Sequence, residues 1–183
     1  MIIDLEIAYF WIVYSIIVFF IFLSTKGKRK KSHRITLYLF SLYMLFVIKI
    51  TLFPIVVGGV IVSDGLLIQP YPFATIIDSI RCRTFEVQII GNIIMFIPFP
   101  VFMILLQKYQ NKSCKKIFFE GLLLSCGIEG MQLIENLVSG TMLRKFDVDD
   151  IILNCMGVFI GIILCNKIID IFKNKKIIKG LIN

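Results

Sequence analysis

The sequence predicts an all-α protein, a polytopic transmembrane helical bundle of about five spans, with the amino terminus outside and the carboxyl terminus in the cytoplasm. Composition and apolar spacing predict the class, and charge placement predicts the orientation. Of 183 residues, 58% are hydrophobic and the mean hydropathy is +0.90, against roughly 45–50% apolar residues in soluble domains. Apolar windows of about 17 to 23 residues, long enough to cross roughly 30 Å of hydrocarbon as helix, occur at residues 7–23, 35–57, 87–106, 117–138 and 151–169. A net charge of +8 would suit nucleic acid, but the basic residues sit in the short segments between spans. Residues 26–34, 108–116 and 167–179 carry most of them and fall on one side of a five-span chain, while Arg81, Arg83, Arg144 and Lys145 fall on the other. The positive-inside rule then sets the orientation. The expected partners are the bilayer and its anionic headgroups, not nucleic acid.

The first window reads as a retained anchor, because Asp4 and Glu6 precede it, the positive charges follow it, and no small-residue cleavage site appears. The second runs on to Val57, and Lys49 lies within it. The connection at residues 58–86 is too apolar for an ordinary loop; its GLLIQPYPFATIIDSI suits the membrane interface or a dip back into the outer half of the protein. Pro70 and Pro72 break any helix there. The third window carries Gln88 and Asn92 at its outer end and is kinked by Pro98 and Pro100. The tail after Asn166 mixes isoleucine with lysine and is expected along the cytoplasmic face. The five cysteines form no CxxC pair, so neither a disulfide framework nor structural zinc is expected. One membrane domain, residues 1–183 with its core motifs in 35–169, accounts for the chain.

Between Glu129 and Gly161 acids, amides and an arginine interrupt segments otherwise suited to lipid, and an intramembrane ionisable group is by default a functional candidate. In the fourth window Ser125, Glu129, Gln132 and Asn136 recur at helical spacing on one face, while Gly121, Gly127 and Gly130 permit close helix approach. Glu129 must be protonated, paired or open to water, and Lys49, at similar depth, is its expected partner. The fifth window opens with FDVDDI, a helix start with Asp147 at the N-cap, Asp150 three residues later, and Asp149 and Asp150 at the positive end of the helix dipole. Farther in, Asp150, Asn154, Gly157 and Gly161 share a face, polar above and small below. The three aspartates could instead hold a divalent cation, but neither an EF-hand loop nor a second acidic motif supports one. No metal or cofactor is expected. Arg144 could hold Asp147 or Asp150, or bind a phosphate bidentately.

GNIIMFIPF at residues 91–99, Glu129 with Gln132, RKFDVDDIILNCMG at residues 144–157 followed by Gly161, and TLFP at residues 51–54 together resemble the VanZ-like family of bacterial membrane proteins. That family is named for a protein of glycopeptide resistance clusters that lowers teicoplanin susceptibility. Where it usually has an Asn-Leu-x-Pro-Phe segment, this chain has Gln69, Pro70, Tyr71, Pro72 and Phe73, and Pro100 stands where Gly is common. The resemblance implies a multi-pass bacterial plasma-membrane protein with an effect on the envelope, restricting a lipid-anchored antibiotic at the membrane.

Three functional readings follow. The first is a non-enzymatic envelope protein with an outward-facing polar cavity, in which Asn92, Glu129, Gln132, Arg144, Asp147, Asp150 and Asn154 bind an amphiphile such as a lipoglycopeptide, a lipopeptide or a lipid headgroup. The second is an enzyme acting on a lipid-linked envelope precursor with Glu129 or Asp150 as general acid or base; no nucleophile is well placed, and no catalytic residue is assigned. The third makes the cluster a structural network that sets helix register.

Overall fold

Hydrocarbon offers no partner to a peptide N–H or C=O, so a segment crossing it satisfies its backbone internally and folds as helix. A computed structural model describes residues 2–4, 6–26, 30–56, 68–82, 86–106, 113–139 and 145–173. The elements are β1 (Ile2–Ile3), α1 (Ile7–Thr25), α2 (Lys31–Leu52), β2 (Ile55–Val56), β3 (Ile68–Gln69), α3 (Ala74–Arg81), a π-helical turn (Glu86–Ile90), α4 (Gly91–Phe96), α5 (Pro98–Leu106), α6 (Cys114–Ser139), β4 (Phe146–Asp147) and α7 (Val148–Lys173). The expected all-α bundle is what forms, and the strands are two-residue bridges. Among the described residues four stretches are long and apolar enough to cross a membrane, Lys31–Leu52, Gln88–Leu106, Cys114–Ser139 and Val148–Ile169, and α1 is apolar over the shorter Tyr9–Thr25.

Most helix ends fall within about four residues of the expected windows, and two of the differences have a clear physical reason. The second span stops at Leu52 rather than residue 57, because Phe53 before Pro54 is driven to extended backbone (φ −111°, ψ 151°). The last helix runs on to Lys173, four residues past the expected end, since nothing in 170–173 breaks it. The third span breaks where the prolines predict: α4 ends at Phe96 and α5 begins at Pro98. Residues 58–67 and 83–85 of the connection, the tail beyond Lys173, and Arg144 lie outside the described residues.

The chain divides into two units, Met1–Gln69 with Gly127–Asp147, and Pro70–Cys126 with Val148–Asn183. In the first, α1 packs on α2 through Phe10, whose ring lies 4.8 Å from that of Phe46 and is nearly fully buried. The Tyr14 hydroxyl donates to the Tyr38 carbonyl at 3.1 Å. β1 pairs antiparallel with β2, Ile2 opposite Val56 and Ile3 opposite Ile55, which ties the chain before α1 to the chain after α2. β3 pairs in parallel with β4, Gln69 opposite Asp147. Hydroxyls within these spans bond back along their own helix, Ser15 to the Trp11 carbonyl, Thr25 to Ile21 and Thr51 to Val47, which removes an otherwise unsatisfied donor.

The second unit is organised on α7. A Cβ at Gly157 would collide with the Ile93 carbonyl oxygen, and one at Gly161 with that of Ile97 and the Pro100 ring, so these two glycines let α7 lie directly against the backbone of α4 and α5. On α6 a Cβ at Gly121 would stand 2.6 Å from a Val158 methyl. Gly127 and Gly130, expected to serve the same purpose, have nothing within 4 Å of a built Cβ. Phe96, Phe99, Pro100, Ile117 and Val158 form the buried apolar core of this unit.

Candidate functional site

The polar face read on α6 exists: Ser125, Glu129, Gln132 and Asn136 are all buried. Within the first unit its groups bind backbone. Glu129, 2% exposed, accepts the Asp147 N–H on Oε2 at 2.9 Å. This is the amide that a capping box in FDVDDI would direct to Asp150. Gln132 Nε2 donates to the Thr51 carbonyl at 2.9 Å. That carbonyl is in the last turn of α2, where the chain turns extended at Phe53 and the helix supplies no further N–H, so Gln132 caps α2 from another helix. Lys49, expected beside Glu129, places its ammonium over the Phe10 ring, 5.7 Å from the centroid. Asp147 is buried, and its backbone is fixed by the bridge to Gln69 as well as by Glu129.

The second unit holds the remaining candidates. Asp149, in the first turn of α7, is 0% exposed. Its carboxylate accepts the Phe73 N–H at 2.5 Å and the Ile76 N–H at 3.2 Å. These are the N-cap and third-residue amides of α3, whose own N-cap residue, Phe73, has no acceptor side chain and adopts a left-handed backbone (φ 69°). One carboxylate from elsewhere in the chain thus does the work of a whole capping box. Asp150 accepts from Asn92 Nδ2 on Oδ1 at 2.6 Å, joining α7 to α4. One turn on, Asn154 Nδ2 donates to Ser125 Oγ at 2.9 Å, joining α7 to α6. Asn154 is 2% exposed, and its Oδ1 is buried with no hydrogen-bond partner. The Ser79 hydroxyl bonds the Gln88 side-chain carbonyl, joining α3 to the π-helical turn.

The aspartates of FDVDDI therefore face different partners, and among the described residues no three His, Cys, Asp or Glu side chains are grouped to hold a metal ion. Of the seven residues singled out, Glu129, Gln132 and Asp147 share the first unit, and Asn92, Asp150 and Asn154 share the second; Arg144 lies outside the described residues. The sequence offers Asp149 as a dipole complement or a cation ligand, not as the cap of a distant helix. The signal that points to its role is the start of α3, where Pro-Tyr-Pro-Phe-Ala opens a helix with no acceptor at its N-cap and so requires one from outside.

In the second unit an apolar groove of about 450 Å³ is lined by Phe118 and Leu122 of α6 and Ile151, Ile152, Cys155, Met156 and Phe159 of α7. Its α7 wall starts at the residue after Asp150, so an apolar channel and a polar helix end adjoin. The family described as VanZ/LLP1 matches residues 7–172. No curated protein and no solved structure matches the chain.

Proposed function

Because the chain belongs to the VanZ-like family of membrane proteins, we propose that it is a non-enzymatic component of the bacterial plasma membrane that protects against glycopeptides and related envelope-active antibiotics. In this reading it holds an amphiphile, with an acyl chain in the groove between α6 and α7 and a polar head at the outward-facing start of α7. The observation that carries it is the groove itself: its lining is apolar throughout, and its α7 wall starts at Ile151, the residue after Asp150, whose carboxylate Asn92 bonds. A ligand with one apolar and one hydrogen-bonding end matches that juxtaposition. Met156→Trp fills the groove without touching a polar contact. Cells carrying it at normal membrane abundance should lose the wild-type protein's protection against teicoplanin; undiminished protection overturns the reading.

A second reading draws on Glu129, Gln132 and Asp149, each committed to backbone groups of another element. Here the polar cluster serves register alone. Glu129→Gln would then lower abundance and protection together, whereas in the first reading Met156→Trp lowers protection at constant abundance.

A further inference from the structure

α3 is amphipathic in the reverse sense. A helix packed on a water-soluble protein buries its apolar side chains and turns hydroxyls outward. α3 buries Ser79 and leaves Ile77 and Ile80 exposed, together with Phe73 at its N-cap. These three residues are spaced four and three apart and form one stripe. Asp78 and Arg81, paired at 3.9 Å with side chains 72% and 76% exposed, lie roughly 100° around the helix from that stripe, given about 100° per residue. The outer surface of α3 thus has an apolar arc and a charged arc side by side, while its inner side is polar.

Two tethers fix where this helix lies. Asp149 holds its first turn from the start of the Val148–Ile169 span. Ser79 holds its last turn to Gln88, the first residue of the Gln88–Leu106 span. Both tethers stand at span ends, which is where hydrocarbon gives way to headgroups. On the second of these spans Ile90 and Ile94 are exposed as well.

We propose that α3 is an in-plane membrane helix: Phe73, Ile77 and Ile80 enter the upper acyl region of the leaflet, and Asp78 and Arg81 stay among the headgroups. The partner is a lipid surface, because a protein partner covering the stripe would also have to meet the charged arc, which a headgroup layer receives without further design. The chain contains a single tryptophan, Trp11, so depth can be read optically. Full-length Trp11→Phe protein carrying Ile77→Trp, Ile80→Trp or Asp78→Trp is reconstituted into phosphatidylcholine and phosphatidylglycerol vesicles containing lipids brominated high in the acyl chain. Ile77→Trp and Ile80→Trp should be quenched at least about twofold more than Asp78→Trp, with bluer emission. Equal quenching at all three positions overturns the proposal, and so does blue but unquenched emission at 77 and 80, the signature of a second copy or another protein covering the stripe. All three probes stand at exposed positions, and two report the same stripe, so the loss of one variant to misfolding leaves the other decisive.

Discussion

Asn154 is the residue whose chemistry is least complete. Its amide donates to Ser125 in a site shut off from solvent, yet its carbonyl oxygen has no hydrogen-bond partner. Removing Ser125 alone leaves both ends of a buried amide unmet, which costs about 1–3 kcal/mol in general and about 0.6 kcal/mol on average between membrane helices. Ser125→Ala should therefore destabilise by about 1 kcal/mol, whereas Ser125→Ala with Asn154→Leu should recover part of the loss, as read by detergent-induced unfolding in bicelles. A double variant less stable than the sum of the single losses contradicts this. Asp149 poses the converse case, a buried carboxylate with two amides to hold. Charge-assisted bonds of this kind contribute about 1.5–3 kcal/mol, so Asp149→Ala should speed amide exchange in residues 70–82 by about 10- to 100-fold while leaving α5 unchanged. Neither role is visible in local sequence, because Asp149 lies 76 residues from Phe73 and Asn154 lies 29 from Ser125. Helical spacing shows which face a polar residue takes and says nothing of what it meets there.

At the scale of elements, α7 seats on α4 and α5 because two of its residues have no side chain. Gly157 faces the Ile93 carbonyl, a backbone atom that cannot rotate away, so Gly157→Ala must push α7 off α4 and should cost about 1–3 kcal/mol. Gly130→Ala, with open space around its Cβ, should be neutral or stabilise by up to about 1 kcal/mol through helix propensity. Thermal unfolding of the two variants in detergent checks the contrast, and equal losses would refute it. The same pair marks the limit of sequence reading. Small residues at helical spacing were legible as possible contact points on both α6 and α7, but whether a neighbour arrives depends on packing, and it arrives at Gly121, Gly157 and Gly161 only. The break at Pro98 was legible because proline acts on its own helix. The end of α2 was legible in Pro54 too, yet the apolar run continuing to Val57 masks it, since hydropathy does not distinguish helix from extended chain.

For the whole molecule, the number of crossings turns on α1, whose apolar stretch is the shortest. Its 19 residues span roughly 28 Å at about 1.5 Å each, close to the roughly 30 Å of hydrocarbon. The pairing of β1 with β2 adds a constraint that composition lacks: residues before α1 are bonded to residues after α2, so α1 starts at the end of the unit where α2 finishes. If α2 crosses the membrane, α1 returns across the same thickness, and the amino terminus shares a side with the segment after Leu52. The positive-inside rule predicts that this side is outside, because it assigns the basic residues between α1 and α2 to the cytoplasm. A membrane-impermeant maleimide applied to intact cells should then modify Cys82 and an introduced Asp4→Cys, and should reach Cys114 only after permeabilisation; Cys82 and Cys114 are both exposed and free. Peptide mapping of the label separates the sites. Modification of Cys114 in intact cells would invert the topology. Protection of Asp4→Cys alongside a reactive Cys82 would place the amino terminus inside and deny α1 its crossing, which the β1–β2 bridge could not survive.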